Sequence, residues 1–373
     1  MSSVKNAKED KYWILDLFRF VSAVAVLFWH YQHFYLSSAA GTYLWNSPTE
    51  QPFFNIFEFL YLKGDVAVQV FWLISGFVLT LTYCTKSHSF RVFWQNRFAR
   101  LYPLHLCTLL LVALLQIGSN HLFGHYQIYE KNDVSHFLAH LFMVSNWHEV
   151  NDFSFNAPIW SVSIEVFVYL LFSLLIIKNR SKLRVFSFIA LAVSILFFAF
   201  NVPGPFWQCS IYFFLGSNLY FLQKTGKKRK LLALSFLTLI VIQLVKLQVR
   251  IGEINNVLIS NILTALSISS LISLSIGISV KLELGYRFRK FLSLLGNLTY
   301  SSYLIHVPFQ ISILILLQLF GFDQKKLVSS SVFFLLYFLI IFLVSHLVFS
   351  KFEDPLRRKL RADFIQKGDS PKS

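Results

Sequence analysis

The sequence predicts an all-α integral membrane protein with about ten transmembrane helices, on three observations. Hydrophobic residues make up 55% of the 373 residues and charged residues only 14%, with a mean hydropathy of +0.58. This composition is far more apolar than that of an ordinary globular protein. About ten apolar runs approach the length that a helix needs to cross a bilayer. Basic residues cluster between alternate runs, as they do in the loops on one side of a membrane.

The predicted spans divide the chain into one membrane domain and two short tails. The sequence shows no repeat of fixed period, no low-complexity tract and no linker. We therefore expect one domain over residues 13–350 between cytosolic tails at residues 1–12 and 351–373, with no fused extracytoplasmic domain. The expected spans are residues 13–35, 66–84, 102–118, 158–177, 185–201, 206–222, 231–249, 255–280, 292–319 and 327–350.

The charge distribution predicts the orientation of these spans. The net charge is +16, with 34 Lys and Arg residues against 18 Asp and Glu residues. With a cytosolic amino terminus, most of the basic residues fall in inner segments, which is the positive-inside pattern and places both termini in the cytosol. The pattern accounts for the charge without nucleic acid. We therefore expect membrane lipids, and no nucleic acid, as partners of the chain.

The first apolar run is predicted to be a retained helix and not a signal peptide. A basic lead-in and the small-residue stretch "SSAAG" are compatible with cleavage. However, a cleaved hydrophobic region is short and uncharged, whereas this run is about twenty residues long. It also contains Asp16 and Arg19, and buried charges of this kind are typical of functional membrane helices.

Arg19 and His30 share one face of this first helix. They are eleven residues apart, which is three helical turns with a remainder of about 20°. Asp16 lies three residues before Arg19 and is expected to pair with it. An ionisable group at membrane depth costs about 3 kcal/mol, so it usually faces a bundle interior or a water-filled cavity. The helix face therefore carries an ion pair near its inner end and an imidazole toward its outer end.

His30 is the expected proton acceptor of this face. Histidine has a pKa close to neutrality, which suits it to take a proton from a hydroxyl and return it later. The alternative is a structural hydrogen bond to a neighbouring helix. His33, three residues further along, is expected at the membrane interface, so we prefer His30.

Six sequence blocks occur in one order along nearly the whole chain, and together they resemble acyltransferase family 3. This family comprises membrane O-acyltransferases of bacterial surface polysaccharides and their relatives. The first block carries the spacing from Arg19 to His30, and the third carries an Arg-x-x-Arg pair. The blocks are "LDLFRFVSAVAVLFWH", "VQVFWLISGFVLT", "RFARLYPLHL", "NAPIWSVSIEVFVYLLF", "LGNLTYSSYLIHVPF" and "FEDPLRR".

The resemblance implies an acyl-CoA-dependent O-acyltransferase in the bacterial cytoplasmic (inner) membrane. Such proteins pass an acyl group, here expected to be acetyl, from cytosolic acyl-CoA to a hydroxyl of an extracytoplasmic or lipid-linked glycan. Acyl-CoA, expected to be acetyl-CoA, is then the donor substrate, and no bound cofactor or metal is expected. Without an extracytoplasmic domain, transfer is completed either by the membrane domain or by a separate extracytoplasmic partner protein.

The same blocks imply roles for four basic residues. Arg97 and Arg100 are three residues apart on one helix face, and we expect them to hold the phosphates of coenzyme A by bidentate hydrogen bonds. The alternative is an ordinary positive-inside flank. Arg19 would line the entrance of the channel for the pantetheine arm. His30 would meet the thioester, either as a general base, which we favour, or as an acyl carrier.

Further polar residues of the blocks are expected to support the reaction. Glu165 is expected to pair with His30 or Arg19 and to orient the imidazole. His306 is either a second proton carrier or, with Pro308, part of a helix kink. The expected oxyanion donors are Ser75, Trp160, Ser161 and Tyr303.

The segment after the third predicted span is rich in histidine. His121 and His125 form one i, i+4 pair and His136 and His140 form another, a spacing that can bind zinc. The HExxH motif is absent, however, and the three cysteines have no CxxC spacing. We therefore expect a surface or acceptor-contacting loop, which also contains His148, and no metal site.

Transport is the alternative function class. About ten spans with buried charges also fit a transporter or flippase of a glycan or lipid intermediate. Internal symmetry would favour transport, but each sequence block occurs only once. The ordered blocks therefore favour the enzyme.

Overall fold

A computed structural model describes residues 12–84, 89–147, 153–178, 182–202, 204, 206–225, 232–240, 257–279, 282 and 284–368. Nearly all of these residues are helical, which confirms the predicted all-α class. The sheet found in these ranges is a single antiparallel pair, β1 (Leu36–Ser37) and β2 (Thr42–Tyr43), in which Leu36 faces Tyr43.

The α-helices of the described ranges follow the apolar runs of the sequence. They are α1 (Trp13–His30), α2 (Phe54–Lys63), α3 (Ala67–Tyr83), α4 (Phe90–Phe123), α5 (Val134–Leu141), α6 (Trp160–Lys178), α7 (Leu183–Ala199), α8 (Phe206–Lys224), α9 (Val257–Ser279), α10 (Tyr286–Leu319), α11 (Gln324–Val328), α12 (Ser331–Val348) and α13 (Asp354–Gly368). Residues 232–240 are helical as well.

Short turns with other helical spacings adjoin several of these helices. The 3₁₀ turns are Tyr31–Tyr35 after α1, Pro48–Glu50, Gly64–Val66 between α2 and α3, and Ala157–Ile159 before α6. A π-turn over Phe349–Glu353 joins α12 to α13. Part of the predicted carboxy-terminal tail is therefore helical, and α13 packs against α4 in the second of the two units defined below.

Seven segments among the described residues are long and apolar enough to cross a membrane, which indicates a multi-pass membrane protein. They are Trp13–Tyr35, Phe54–Tyr83, Phe90–Phe123, Ala157–Leu175, Ile262–Ser279, Tyr286–Leu319 and Ser331–Phe364. Two further predicted spans correspond to α7, a shorter apolar helix, and to α8. Of the predicted span at 231–249, only residues 232–240 lie within the described ranges.

The chain divides into two compact units. The first unit comprises Met1–Val21, Val68–His88 and Phe167–Asn297, and the second comprises Ser22–Ala67, Ser89–Val166 and Leu298–Ser373. Helices α1, α6 and α10 contribute residues to both units.

Two glycines allow a close helix crossing in the first unit. A Cβ atom at Gly76 of α3 would lie 1.8 Å from the carbonyl oxygen of Phe213, and a Cβ atom at Gly216 of α8 would lie 1.9 Å from that of Leu73. Only hydrogen fits between the two backbones at these points. Small residues at helix interfaces permit such an approach inside a membrane, so the close packing of α3 against α8 depends on both glycines.

An aromatic cluster holds the end of α1 in the second unit. The Tyr31 ring is 0% exposed and its centroid lies 5.4 Å from that of Phe334 and 5.7 Å from that of Tyr337, both on α12. Its hydroxyl donates to the carbonyl of Val328 at 2.8 Å. Large buried rings in edge contacts contribute strongly to packing. Because Tyr31 directly follows His30, this packing fixes the position of that histidine.

Candidate active site

Three histidines of the second unit lie against one another. His30 ends α1, His33 lies in the following 3₁₀ turn, and His306 lies on α10. The ring centroid of His30 is 5.0 Å from that of His33 and 4.9 Å from that of His306. The exposed fractions of His33 and His306 are 9% and 0%. The structure therefore brings together two histidines predicted as site residues and adds His33, which is buried among them, while its expected depth at the membrane interface stays a prediction.

Hydrogen bonds assign the neutral tautomers of two of these rings. The Nδ1 atom of His30 is 3.0 Å from the carbonyl oxygen of Val26, and that of His306 is 3.2 Å from the carbonyl oxygen of Ser302. A carbonyl oxygen only accepts, so each Nδ1 carries the hydrogen and each Nε2 keeps a lone pair. The Nε2 atom of His306 is buried and has no hydrogen-bond partner among the described residues. Both rings therefore offer a basic nitrogen.

Gln310 of α10 connects the two histidines at the end of α1. Its Nε2 atom donates to the backbone carbonyl of His30 at 2.9 Å, which leaves its Oε1 atom to accept from Nδ1 of His33 at 3.0 Å. Nε2 of His33 is then an acceptor, and the hydroxyl of Tyr129 donates to it at 3.4 Å. Gln310 is fully buried. It therefore holds both the backbone of His30 and the tautomer of His33.

Pro308 interrupts the hydrogen-bond ladder of α10 beside His306. A proline has no N–H to donate to the carbonyl four residues earlier, which here belongs to Leu304. The Nδ2 atom of Asn156, a side chain with 0% exposure, donates to that carbonyl at 2.9 Å. Membrane helices tolerate proline where a neighbour satisfies the freed group. His306 thus lies next to a proline in its helix and also in the histidine cluster, so the two expected roles do not exclude each other.

Two expected oxyanion donors bond to each other. The hydroxyl oxygens of Ser161 and Tyr303 are 2.7 Å apart. Both also lie within hydrogen-bond distance of the Pro158 carbonyl, Tyr303 at 2.8 Å and Ser161 at 3.3 Å. Both hydrogens are therefore used within this group. The pair joins the beginning of α6 to α10, and either hydroxyl would have to turn to reach an oxyanion.

Glu165 and Trp160 lie on α6. Glu165 belongs to the second unit, is 7% exposed and lies close enough to Tyr303 for an electrostatic interaction. The ring centroid of Trp160 is 6.4 Å from that of Phe153. The structure thus places Glu165 near the Tyr303 hydroxyl, while its expected pairing with a basic residue of α1 stays a prediction.

Asp16, Arg19 and Ser75 belong to the first unit. The guanidinium of Arg19 lies 3.5 Å from the carboxylate of Asp16, which confirms the pairing expected from their spacing. A Cβ atom at Gly296 of α10 would lie 2.7 Å from Oδ1 of Asp16, so α10 passes close to this ion pair. Ser75 is half-buried on α3. Arg19 lies on α1, the helix that ends at His30.

Arg100 of α4 is held by a buried carboxylate. Its guanidinium lies 2.5 Å from Oε1 of Glu353, and the hydroxyl of Ser301 donates to Oε2 of the same carboxylate at 2.5 Å. The guanidinium carbon is also 5.5 Å from the centroid of the Tyr300 ring. Arg97 lies one turn earlier on α4. The structure therefore fixes the position of Arg100, and the expected binding of phosphates by this arginine pair stays a prediction.

The expected surface location is wrong for His140. It is 1% exposed, and its Nε2 atom is 3.1 Å from the hydroxyl of Ser154. Its backbone carbonyl accepts from Nε2 of His105 at 2.8 Å. Burial, together with the nearby His105 and His136 rings, lowers the pKa of His140 to about 3. Helix α5 is amphipathic and turns this residue inward, which the spacing of the histidines alone did not reveal.

The other histidines of this segment differ in their surroundings. His136 bonds through Nδ1 to the carboxylate of Asp133 at 2.7 Å, and His121 is exposed. His148 lies outside the described residues. Within the described part of the chain, no group of three or more His, Cys, Asp or Glu side chains is arranged to hold a metal ion.

Sequence reasoning assigned no role in the site to four residues of this arrangement, although each had a weak signal. Gln310 lies four residues after His306 and therefore on the same face of α10. His33 lies three residues after His30. Glu353 and Asn156 stand inside the quoted sequence blocks "FEDPLRR" and "NAPIWSVSIEVFVYLLF". The apolar periodicity of the sequence does not show which residue each of these four side chains contacts.

Comparisons with known proteins agree with the sequence blocks. The chain matches the family of acyltransferase domains known as acyltransferase family 3 over residues 12–349. It is similar to the acyltransferase MdmB of Streptomyces mycarofaciens, with 33% identity over 162 residues that cover 42% of this chain and 37% of that protein. It is also similar to the peptidoglycan O-acetyltransferase OatA of Listeria monocytogenes, with 33% identity over 130 residues that cover 31% of this chain and 20% of that protein. Both matches span well under half of the relative's length, and no solved structure matches the chain significantly.

Proposed function

The chain belongs to acyltransferase family 3, and we propose on this basis that it is an integral-membrane O-acyltransferase of the bacterial cytoplasmic membrane. Its donor is cytosolic acyl-CoA, in the first instance acetyl-CoA. Its acceptor is a hydroxyl of an extracytoplasmic or lipid-linked glycan. The cluster of His30, His33 and His306 is the site of transfer.

The tautomer of His30 is the observation that supports this proposal most directly. Its Nδ1 hydrogen is used by the Val26 carbonyl, so Nε2 has the lone pair that a general base needs. Nε2 takes the proton of the acceptor hydroxyl while the hydroxyl oxygen bonds to the thioester carbonyl carbon. The carbon–sulfur bond then breaks, and the imidazolium returns the proton to the thiolate. The products are the acylated glycan and free coenzyme A.

His306 and His33 support this step in different ways. Because the His306 ring lies 4.9 Å from that of His30 and offers a buried basic Nε2, it can share the proton that His30 has taken. Nε2 of His33 already accepts a hydrogen bond from Tyr129, so we assign His33 to positioning the cluster and not to proton transfer. In the proposed site, His30 therefore takes the proton of the acceptor hydroxyl, His306 is the second base, and His33 is a positioning residue.

The arginines of α4 are proposed to bind the nucleotide end of acyl-CoA. Guanidinium groups bind phosphate by paired hydrogen bonds. Arg100 is already oriented by Glu353 and Tyr300, so less side-chain freedom is lost when a phosphate binds. Arg97, one turn away, adds a second charge. We assign Arg19 to the path of the pantetheine arm because it shares α1 with His30.

The glycan acceptor rests on the relatives and on the chemistry of the step. One relative is named for O-acetylation of peptidoglycan, and the matched part of that protein is short. Transport of a glycan or lipid intermediate is not favoured, since the match over residues 12–349 is to acyltransferases.

The proposal is tested by comparing surface glycans by mass spectrometry from the parent strain, a deletion strain and complemented strains. The deletion strain should lack one acyl group per modified sugar. Complementation with His30→Ala should fail, whereas His105→Gln should restore acylation. His105 is a matched control because it is a buried histidine that, like His30, bonds a backbone carbonyl.

Two outcomes would contradict different parts of the proposal. Identical glycans in the parent and deletion strains would overturn the acyl-transfer function. Full acylation by His30→Ala, at a membrane level equal to that of the wild type, would overturn only the role of His30 as base.

A further inference from the structure

An aromatic ladder lies beside the β1–β2 hairpin, which follows the histidine end of α1. The Tyr43 ring stacks on Trp45 at a centroid distance of 4.9 Å and an angle of 20°, and Trp45 packs on Tyr35 at 4.7 Å. Tyr35 is 0% exposed, and its hydroxyl lies 3.0 Å from that of Ser329. Tyr43, by contrast, is 47% exposed. Since one face of the Tyr43 ring is covered by Trp45, its exposed area includes the opposite face.

Three polar side chains lie near this exposed ring or its hairpin. The hydroxyl of Tyr43 donates to Oε1 of Gln32 at 3.1 Å. The hydroxyl of Tyr129 is close enough to Tyr43 for an electrostatic interaction. In the hairpin turn, a Cβ atom at Gly41 would lie 3.8 Å from Oε1 of Glu130. An amide thus lies at the Tyr43 hydroxyl, a phenol lies within electrostatic range of it, and a carboxylate lies beside the turn of the same hairpin.

The polar groups continue from the hairpin to the histidine cluster. Tyr129 is the link, because its hydroxyl donates to Nε2 of His33 at 3.4 Å and it also interacts electrostatically with Tyr303. His33 is joined through Gln310 to the carbonyl of His30. A ligand seated on the Tyr43 ring would therefore have hydrogen-bonding side chains between it and the proposed base.

We propose that the exposed Tyr43 face, with Gln32, Tyr129 and Glu130, is a subsite for one pyranose ring of the acceptor glycan. A pyranose has an apolar C–H face that fits an aromatic face, and a rim of hydroxyls that fits planar amide and carboxylate groups. The inference rests on the proposed acyl-transfer function. It adds the residues that hold the acceptor near the histidine cluster.

Anchoring in the lipid interface is the competing role of these rings, since Tyr and Trp are enriched there. The contacts favour the sugar subsite. Trp45 is covered on its two sides by Tyr35 and Tyr43, and the Tyr43 hydroxyl is already bonded to Gln32. The ring faces of Trp45 and the hydroxyl of Tyr43 are therefore already engaged within the protein, unlike those of an isolated interfacial ring.

The test uses the full-length protein in lipid nanodiscs, with saturating acetyl-CoA and release of the coenzyme A thiol as the signal. Thiol release without acceptor measures transfer to water. An N-acetylglucosamine tetrasaccharide is the pyranose probe, and sorbitol is the acyclic polyol with hydroxyls but no ring face. The variants are Tyr43→Ala, Tyr43→Phe and, as a control, Phe322→Ala, which removes another ring that is 60% exposed.

We expect the tetrasaccharide, and not sorbitol, to stimulate thiol release by the wild type. Tyr43→Ala should raise the KM for the tetrasaccharide by about five- to tenfold, the change expected for loss of one aromatic stacking contact. Tyr43→Phe keeps the ring and should stay within about threefold of the wild type. Release to water, and all values for Phe322→Ala, should be unchanged.

The failures of the two proposals are distinguishable. If the wild type releases no coenzyme A thiol, either with an acceptor or without one, the proposed acyl-transfer function itself is overturned. The pyranose subsite alone is overturned when thiol release to water is normal and one of three results is found. These results are equal stimulation by sorbitol, no stimulation by the tetrasaccharide, or an unchanged KM for the tetrasaccharide in Tyr43→Ala. A Tyr43→Ala protein with lower membrane level and an unchanged KM assigns the ring to lipid anchoring, which also overturns it.

Discussion

Replacing Glu353 with Gln removes the negative charge that faces Arg100 in the second unit. The side chains of Arg100 and Glu353 are 21% and 3% exposed, and their ion pair is 2.5 Å long. Removing one partner of a fully buried pair costs about 3–5 kcal/mol. Water reaches part of the Arg100 side chain, so we reduce this figure to about 2–4 kcal/mol. Part of the loss comes from Ser301, whose hydroxyl donates to the same carboxylate.

The assay is reversible unfolding in mixed micelles, with a double-mutant cycle of Glu353→Gln and Arg100→Gln. The double variant should be more stable than the sum of the single losses predicts, with a coupling energy of about 1–3 kcal/mol. Glu58→Gln is the matched control, because Glu58 is exposed and its neutralisation should change stability by less than about 0.5 kcal/mol. A Glu353→Gln protein as stable as this control, or a coupling energy of zero, would refute the reasoning.

Three further predictions concern packing, a buried hydrogen bond and pH. Gly76→Ala must separate α3 from α8, since its Cβ would lie 1.8 Å from the Phe213 carbonyl oxygen; it should lower unfolding stability by at least about 1–3 kcal/mol. Gly118→Ala, whose Cβ meets no described atom within 4 Å, should be neutral or stabilising, and equal stabilities for the two variants would contradict the crossing. Asn156→Leu leaves the Leu304 carbonyl without its donor and should cost about 1–3 kcal/mol in the same assay; no loss would show that another group satisfies that carbonyl. Hydrogen bonds from Ser135 and His136 lower the pKa of Asp133, which caps α5; the cap is therefore present at neutral pH and is lost only as pH falls through this lowered pKa. Amide protection in α5, corrected for intrinsic exchange, should stay constant between about pH 8 and 5, and a loss near pH 6 would contradict the assignment.

The sequence was sufficient for those features that depend on local periodicity. Long apolar runs predicted the helices, because a bilayer requires about 20 apolar residues per span. The spacing of Asp16 and Arg19 predicted their ion pair, because residues three apart face the same side of a helix. The spacing of Arg19 and His30 placed both on α1. Each of these features lies within one helix.

Contacts between distant parts of the second unit could not be predicted in the same way. Periodicity shows the face on which a residue lies, but it does not show which helix packs there. His306 and Gln310 meet the end of α1 across more than 270 residues, and Glu353 meets Arg100 across 253. A buried polar residue needs a hydrogen-bond partner. The sequence therefore predicted that partners exist, but it did not predict which residues they are.

The rate at which the purified protein transfers a labelled acetyl group from acetyl-CoA to a pyranose acceptor tests the central claim most directly. General base catalysis contributes about 10²–10⁴-fold, so His30→Ala should lower kcat by at least about a hundredfold with little change in the KM for acetyl-CoA. His105→Gln should stay within about twofold of the wild type. A His30→Ala protein that keeps its kcat within about threefold of the wild type, at equal nanodisc occupancy, would contradict the account.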